Sequence, residues 1–149
     1  MNNLFDSADR ASIQARLAGL SPSAVRQWGK MDAAQMMAHC SAALETATGD
    51  APRKQAMIGR LLSRFVRSSL LGEKPFSRNS PTDPTFIVTD MRNFEAEKRR
   101  LGILVDRFAE AGPEKAAAQT HSFLGRLEGH EWAVMMYKHL DHHLRQFGA

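Results

Sequence analysis

Three of the six histidines of this chain lie within five residues near its end, at His139, His142 and His143. The apolar residues around them recur at helical intervals, and residues four apart on a helix share a face. His139 and His143 therefore lie together at the margin of the apolar stripe, whereas His142 lies toward the polar face. Two neutral imidazoles at this spacing can bind a divalent metal ion. The alternative is a pair of histidines hydrogen-bonded at the edge of a core.

The third ligand of such a site would come from another helix, and His39 is the leading candidate. It lies at the margin of the apolar arc of a helix predicted over Ala33–Thr48, which Asp32 caps and Gly49 ends. Small residues on this helix allow a partner helix to approach closely: Ala34, Ala38, Ala42, Ala43 and Ala47. Taken alone, His39 is equally well explained as a buried histidine hydrogen-bonded to a carbonyl or hydroxyl group.

Helical periodicity extends over most of the chain and predicts an all-α fold. The predicted helices are Asp9–Leu17, Ala33–Thr48, Ala56–Leu71, Asp90–Ala111, and a last one from about Glu128 or His130 to Phe147. Asp90 is the predicted cap of the fourth helix and Gly112-Pro113 its end. On the last helix we expect a solvated face carrying Glu131, Lys138, Asp141 and Arg145.

The connection before the fourth helix reads differently. Prolines and turn residues over 77–85 predict an extended segment, and the only β-rich run, 86–89, has no strand to pair with. We therefore expect a four-helix bundle in which 56–71 is an additional helix in the crossover region. A length of 149 residues with 43% hydrophobic content fits one domain over 1–149.

Cysteine content and hydropathy narrow the class of protein. Cys40 is the only cysteine, so the chain forms no internal disulfide and no cysteine-rich zinc site, and we expect a buried, unreactive thiol. No apolar run approaches the roughly 18 residues of a membrane span, and the first residues lack a signal-peptide pattern. We expect a cytoplasmic protein.

Positive charge is concentrated in residues 53–78. This segment has seven basic residues and one glutamate, a net charge of +6, whereas the whole chain carries +4. Arg60, Arg64 and Arg67 follow i, i+4, i+7 spacing and form a basic stripe opposite the apolar one. Such a stripe is usually solvated, but it can bind anionic lipid, nucleic-acid phosphates or the carboxylates of a peptidic thiol. Because no nucleic-acid module accompanies it, we expect no nucleic-acid partner. Because no apolar run is long enough to span a membrane, we also expect no stable membrane association.

Several segments together resemble the DinB/YfiT-like superfamily of metalloenzymes, and within it a bacterial branch known as DUF1569. The segments are Trp28-Gly29-Lys30-Met31, Met36-Met37-Ala38-His39, Lys74-Pro75-Phe76, Thr82-Asp83-Pro84, His121-Ser122-Phe123-Leu124-Gly125, Glu131-Trp132 and His139–Gln146. The resemblance implies a four-helix bundle that binds a divalent metal through three side chains, here His39, His139 and His143. The branch often begins its last helix with threonine-proline, whereas this chain has Glu128-Gly129-His130.

Three neutral ligands would leave a coordination position open, as in catalytic sites, and zinc or nickel is the expected metal. The resemblance implies an enzyme acting on a small molecule, with a low-molecular-weight thiol as a candidate co-substrate and a transferase or hydrolase-like reaction. His142 is a candidate for proton transfer, and Arg60, Arg64 and Arg67 are candidates for binding an anionic ligand. A homodimer fits this class of bundle. The alternative is a non-catalytic helical bundle that acts as a binding module through the basic 53–78 segment.

Overall fold

The computed structural model describes residues 1–80 and 82–149. Pro81, which the sequence places in the extended connection, lies outside them. The described residues form five helices: α1 Ser7–Gly19, α2 Ala33–Thr48, α3 Met57–Leu71, α4 Phe94–Ala117 and α5 Gly129–Gln146. Two short antiparallel strands, β1 Thr120–His121 and β2 Gly125–Arg126, form a hairpin before α5. The prediction of a mainly helical chain is confirmed, whereas the hairpin was not predicted.

The local sequence sets the bounds of α2, the helix that carries His39. The side chain of Asp32 accepts a hydrogen bond from the Gln35 backbone N–H at 2.8 Å, and the Gln35 side chain accepts one from the Asp32 N–H at 3.0 Å. This reciprocal pair is a capping box. Gly49 ends the helix in the left-handed conformation, with φ of 85°. The predicted bounds and both caps are confirmed.

The start of α4 differs from the prediction, and its end differs in part. Asn93, not Asp90, caps the helix, since its side chain accepts from the Ala96 N–H at 2.9 Å. Asp90 instead pairs with Arg92 at 3.0 Å. Gly112 leaves helical geometry, with φ of 81° and ψ of 172°, but another helical turn follows it. Pro113 permits this because a proline fits the first turn of a helix, where its missing N–H is not needed.

Four helices, α1, α2, α4 and α5, surround one hydrophobic core, and α3 lies outside it against α5 and β2. The largest fully buried side chains include Trp132, Phe108, Ile13, Met37, Leu44 and Leu101. This placement agrees with the expectation that the 56–71 helix is additional to the bundle. Five large apolar side chains of α3 are nevertheless exposed, so most of the apolar stripe of this helix faces solvent.

The polar face of α5 is only partly solvated: Arg145 is exposed, as predicted, but α3 and α1 pack against the rest of this face. Lys138 is 8% exposed, and its ammonium group donates to three carbonyls at the end of α3, those of Ser69, Leu70 and Gly72, at 2.6–3.3 Å. Burial lowers the pKa of Lys138. Glu131 binds Arg67 of α3, and Asp141 binds Arg16 of α1 at 2.8 Å. Within residues 1–80 and 82–149, no helix combines the length and apolar character needed to cross a membrane.

Candidate metal centre

The structure brings the three predicted ligands into one cluster between α2 and α5. His39 comes from α2, and His139 and His143 lie one turn apart on α5. One ring nitrogen from each side chain lies within 4.8 Å of the other two. The ring centroids are 4.8 Å apart in all three pairs, so the imidazoles form an equilateral triangle. His39 and His143 are buried, and His139 is partly exposed. We call this the histidine triangle.

A backbone carbonyl orients the first imidazole of the triangle. The Nδ1 atom of His39 lies 2.9 Å from the carbonyl oxygen of Phe86, in the short 3₁₀ turn Pro84–Phe86. Because a carbonyl oxygen can only accept, Nδ1 carries the proton. The Nε2 atom therefore has a free lone pair, and it faces the triangle.

A buried amide orients the second imidazole in the same way. The Nδ1 atom of His143 lies 2.8 Å from Oε1 of Gln146. The amide nitrogen of Gln146 donates to the carbonyl of Trp28 at 2.7 Å, which fixes the orientation of the amide. Oε1 therefore accepts, Nδ1 of His143 carries the proton, and its Nε2 lone pair is free. Ligand histidines in metal sites are commonly oriented by such a bond from the other ring nitrogen.

The distances within the triangle can be compared with those of a metal site. Nε2 of His39 and Nε2 of His139 are 2.8 Å apart, a hydrogen bond in which His139 donates. Two nitrogen ligands of a tetrahedral zinc ion, each about 2.0–2.1 Å from it, lie roughly 3.3 Å apart. A metal ion would thus take the place of this proton and increase the distance between the two nitrogens by about 0.5 Å. The other nitrogen pairs, which lie up to 4.8 Å apart, would have to close by as much as about 1.5 Å, so the donor set fits a divalent ion after the rings rearrange within the cluster.

Burial keeps the three imidazoles neutral. It is the largest cause of the lowered pKa of His39, and it lowers the pKa of His143 to about 3 together with the neighbouring His39. The pKa of His139 is well below its ordinary value because of burial and then of His143 and His39. Neutral imidazole is the form that binds a metal ion. The three imidazoles are therefore already neutral at neutral pH, and metal binding would require His139 to move its proton from Nε2 to Nδ1.

His142 lies outside the triangle, at the wall of a neighbouring cavity. Its ring centroid is 5.1 Å from that of His143. The cavity is about 370 Å³, and its lining includes Trp28, Phe76 and Arg78, with the Arg78 guanidinium 4.6 Å above the Trp28 ring. Burial lowers the pKa of His142, although the backbone of Phe76 opposes this effect. His142 thus stands between the cavity and the triangle.

The remaining histidines have other surroundings. His121 accepts hydrogen bonds at Nδ1 from the N–H groups of Phe123 and Leu124, at 3.0 and 3.1 Å, and so holds the hairpin turn. Burial lowers its pKa to about 4. His130 is exposed. Neither belongs to the triangle.

Cys40, next to His39 on α2, contributes packing only. It is fully buried, with its sulfur 3.8 Å from that of Met36. Burial raises the pKa of the thiol, so the reactive thiolate does not form at neutral pH.

The three arginines predicted to bind an anion lie on α3, away from the histidines in sequence. Arg67 forms a two-pronged ion pair with Glu131 at 2.5–2.6 Å. Glu131 precedes His139 by eight residues, or about 12 Å along α5. Arg60 and Arg64 form no ion pair within the described part of the chain. A role in binding an anion remains a prediction for all three residues.

Two groups that orient the triangle were missed by sequence reasoning. Gln146 follows His143 by three residues, a spacing at which helical side chains meet, so the sequence held a usable signal for it. The Phe86 carbonyl belongs to a backbone 47 residues from His39, and no residue type marks it.

Residues 3–149 match the sequence model of a family described as "Protein of unknown function (DUF1569)". No curated protein and no solved structure matches the chain.

Proposed function

Since the chain belongs to the DUF1569 family, which its sequence matches over residues 3–149, its function has to be argued from the site, and we propose that it is a divalent-metal-dependent enzyme. Its metal ligands are His39, His139 and His143. The resemblance to the DinB/YfiT superfamily supports both this ligand set and a bundle of the DinB type. The expected metal is zinc or nickel, although imidazole ligands also suit copper and iron.

One observation carries this proposal: two of the three imidazoles already have their Nδ1 protons held by acceptors. The Phe86 carbonyl holds one, and the Gln146 amide holds the other. The hydrogen bond between His39 and His139 explains the approach of those two rings, but not why a ring nitrogen of His143 also lies within 4.8 Å of both. The convergence of three neutral donors supports a metal ion as the group that belongs there.

Three protein ligands leave at least one position open on a four-coordinate ion, which favours catalysis over a structural role. A divalent ion supplies Lewis acidity there and lowers the pKa of a water molecule or thiol that reaches it. Superfamily members that use low-molecular-weight thiols support a thiol-dependent transferase, with hydrolase-like chemistry as the other option. The cavity beside His142, whose ring adjoins His143, supports binding of a small-molecule substrate.

His142 is our candidate for proton transfer in this reaction. Its ring lies beside His143 and also lines the cavity that contains Trp28 and Phe76. A substrate in that cavity would meet His142 before it reached the triangle. Burial lowers the pKa of His142, so the ring is neutral and can accept a proton near neutral pH.

The first experiment is elemental analysis of the untagged protein, purified without added metal and again after incubation with zinc or nickel. We expect about one divalent ion per chain. His39→Ala and His143→Ala should each lose it, whereas His130→Ala, which removes an exposed histidine from the same helix, should keep it. Circular dichroism of each variant checks that the helices are intact. A parent protein that holds no metal after reconstitution would overturn the proposal.

Catalysis needs a separate measurement, because a metal can bind without a reaction. The loaded protein would be screened for thiol transfer to electrophilic substrates and for hydrolysis. Turnover that disappears in His143→Ala and falls in His142→Gln, while His142→Gln keeps its metal, is the expected result. A metal-loaded protein with no turnover on any of these substrates would favour the alternative, a non-catalytic binding module.

A further inference from the structure

The helix α3 presents a large apolar face to solvent. Five of its side chains are between 42% and 82% exposed: Met57, Ile58, Leu61, Leu62 and Phe65. With 100° between successive residues, these five cover an arc about 140° wide. We call this arc the outer face of α3. Single exposed apolar side chains are ordinary on protein surfaces, but a contiguous set of large ones marks a binding surface.

Contacts on the opposite side hold α3 in this orientation. The only buried residue of the helix is Gly59, and Val66 and Leu70 are partly buried against the core. At its start, the Ala56 N–H donates to the carbonyl of Ser122 in the hairpin at 2.8 Å. Near its end, Arg67 binds Glu131, and Lys138 caps the last carbonyls. The outer face cannot turn toward the core without breaking these contacts.

Positive charge borders the outer face on its Met57 side, whereas the arginine stripe was predicted to lie opposite the apolar one. Arg64 and Arg60 follow it on the helical wheel, about 20° and 60° beyond its Met57 edge. Both are free of ion pairs within residues 1–80 and 82–149, and α3 contains no acidic residue. The surrounding segment 53–78 has a net charge of +6. A partner that covers the outer face therefore has to be apolar at its centre and negatively charged beside it.

We propose that α3 binds the surface of an anionic phospholipid bilayer. The helix lies in the plane of the interface, its outer face enters the boundary between headgroups and acyl chains, and Arg60 and Arg64 contact lipid phosphates. This is the arrangement of amphipathic helices with a basic border and a Leu/Phe face. The binding is peripheral and reversible, so it does not conflict with the expectation of no stable membrane association. It is also independent of the metal site, because α3 contributes no histidine to the triangle.

Two other occupants fit the observations less well. A second copy of the chain, paired through the outer face, would bring two basic segments together, and like charges at that distance repel. Nucleic acid would satisfy the arginines but would leave five large apolar side chains in water. A bilayer with anionic lipids matches both the charge and the apolar face.

The test is co-sedimentation of the full chain with vesicles of phosphatidylcholine alone and of equimolar phosphatidylcholine and phosphatidylglycerol. We expect binding to the anionic vesicles that weakens with salt, and little binding to the neutral ones. Arg60→Ser with Arg64→Ser should weaken binding by about 30-fold, from roughly 1 kcal/mol for each basic residue near the surface. Leu61→Ser with Phe65→Ser should abolish it.

A matched control separates the outer face from exposed apolar surface in general. Met91→Ser with Ile103→Ser removes two exposed apolar side chains outside α3 and should leave vesicle binding unchanged. Circular dichroism of each variant checks the fold. Absence of binding to anionic vesicles, or binding that survives Leu61→Ser with Phe65→Ser, overturns the proposal. So does a dimer in solution that this variant converts to a monomer, since a second copy would then occupy the outer face.

Discussion

A single buried amide determines which nitrogen of His143 is free to bind. Gln146 donates to the Trp28 carbonyl with its nitrogen, so only its oxygen is left for the imidazole. The amide thus connects the segment before α2 to a ring on α5. It does not touch the centre of the triangle, and any effect of its loss on metal binding has to pass through the orientation of His143.

We predict that Gln146→Ala lowers the metal affinity roughly 10–100-fold, the usual effect of removing a partner that orients a ligand histidine. Competition titration with a chromophoric chelator measures the affinity. Gln119→Ala, which removes a half-buried glutamine that bonds only within its own helix end, should leave it unchanged. Equal affinities in the two variants would show that His143 needs no support from the amide.

Buried neutral histidines also predict how the stability of the apo protein depends on pH. The folded chain keeps His121 and His143 unprotonated down to their lowered pKa values of about 4 and about 3, whereas the unfolded chain protonates them near 6.5. The unfolded state binds more protons in this window, so stability is full above pH 7 and falls as pH drops. At pH 5 each of these two histidines should lower the free energy of unfolding by about 2 kcal/mol.

Urea denaturation with a chelator present, at pH 7.5 and at pH 5, gives this difference in the free energy of unfolding. His143→Gln removes one of the two titrating groups. It should therefore reduce the difference in the free energy of unfolding by the share of one histidine, about 2 kcal/mol. A free energy of unfolding that is the same at both pH values would contradict the assignment of neutral, buried rings.

Between elements, two lysines act as caps from outside the helix that they cap. Lys138 of α5 donates to the last carbonyls of α3, and Lys98 of α4 donates to the carbonyls of Ala18 and Leu20 at the end of α1. A cation at a helix C-terminus also interacts favourably with the helix dipole. Because α3 has few other contacts, the lysine cap matters more for α3 than for α1.

We predict that Lys138→Met increases amide hydrogen exchange in α3 while leaving α2 protected, because the carbonyls at its end lose their donor. Lys98→Met is the matched control, and it should increase exchange at the end of α1 instead. Metal content should be unchanged in both variants, since neither lysine touches the triangle. Uniformly faster exchange in Lys138→Met would mean that the side chain supports the whole bundle rather than α3.

The elements that were predicted correctly are those with local signals. Asp32 and Gly49 are adjacent to the helix that they bound, so α2 was predicted to the residue. The hairpin has strands of two residues, and His121 holds its turn by accepting two backbone bonds, which no propensity reveals. Periodicity predicted that α3 is amphipathic, but it cannot say which face meets the protein.

The candidate site follows the same division. Wheel positions place three histidines at the margins of their apolar stripes: His39, His139 and His143. Side chains at such a margin can reach a metal ion that lies between two packed helices. Their distances depend on how α2 packs against α5, which the sequence leaves open. Lys138 was assigned to a solvated face because a lone helix does not show what packs on it.

For the molecule as a whole, a metal ion at the triangle would tie α2 to α5 across about two thirds of the chain. His39 and His139 are 100 residues apart, and both helices line the core. A ligand that binds only the folded state stabilises it by an amount that grows with the logarithm of its free concentration above the dissociation constant. The ion would therefore contribute to the stability of the bundle in addition to any chemistry.

We predict that zinc at about 100 times its dissociation constant raises the free energy of unfolding by about 2.7 kcal/mol. Urea denaturation with and without zinc measures this change. His143→Ala should show little increase, whereas His130→Ala should respond like the parent. If the parent protein binds zinc but gains no stability from it, the unfolded chain binds zinc equally well. The ion would then not be held by the triangle.

The bond from the Phe86 carbonyl to His39 has a genetic consequence. Every amino acid supplies a backbone carbonyl, so a substitution at position 86 can leave this bond in place. Removing or adding one residue between α3 and α4 would instead change which residue occupies this position of the turn, so that the imidazole of His39 would no longer meet the same carbonyl. In a mutational scan of this connection, many point substitutions should therefore preserve the bond to His39, whereas few insertions or deletions should preserve it.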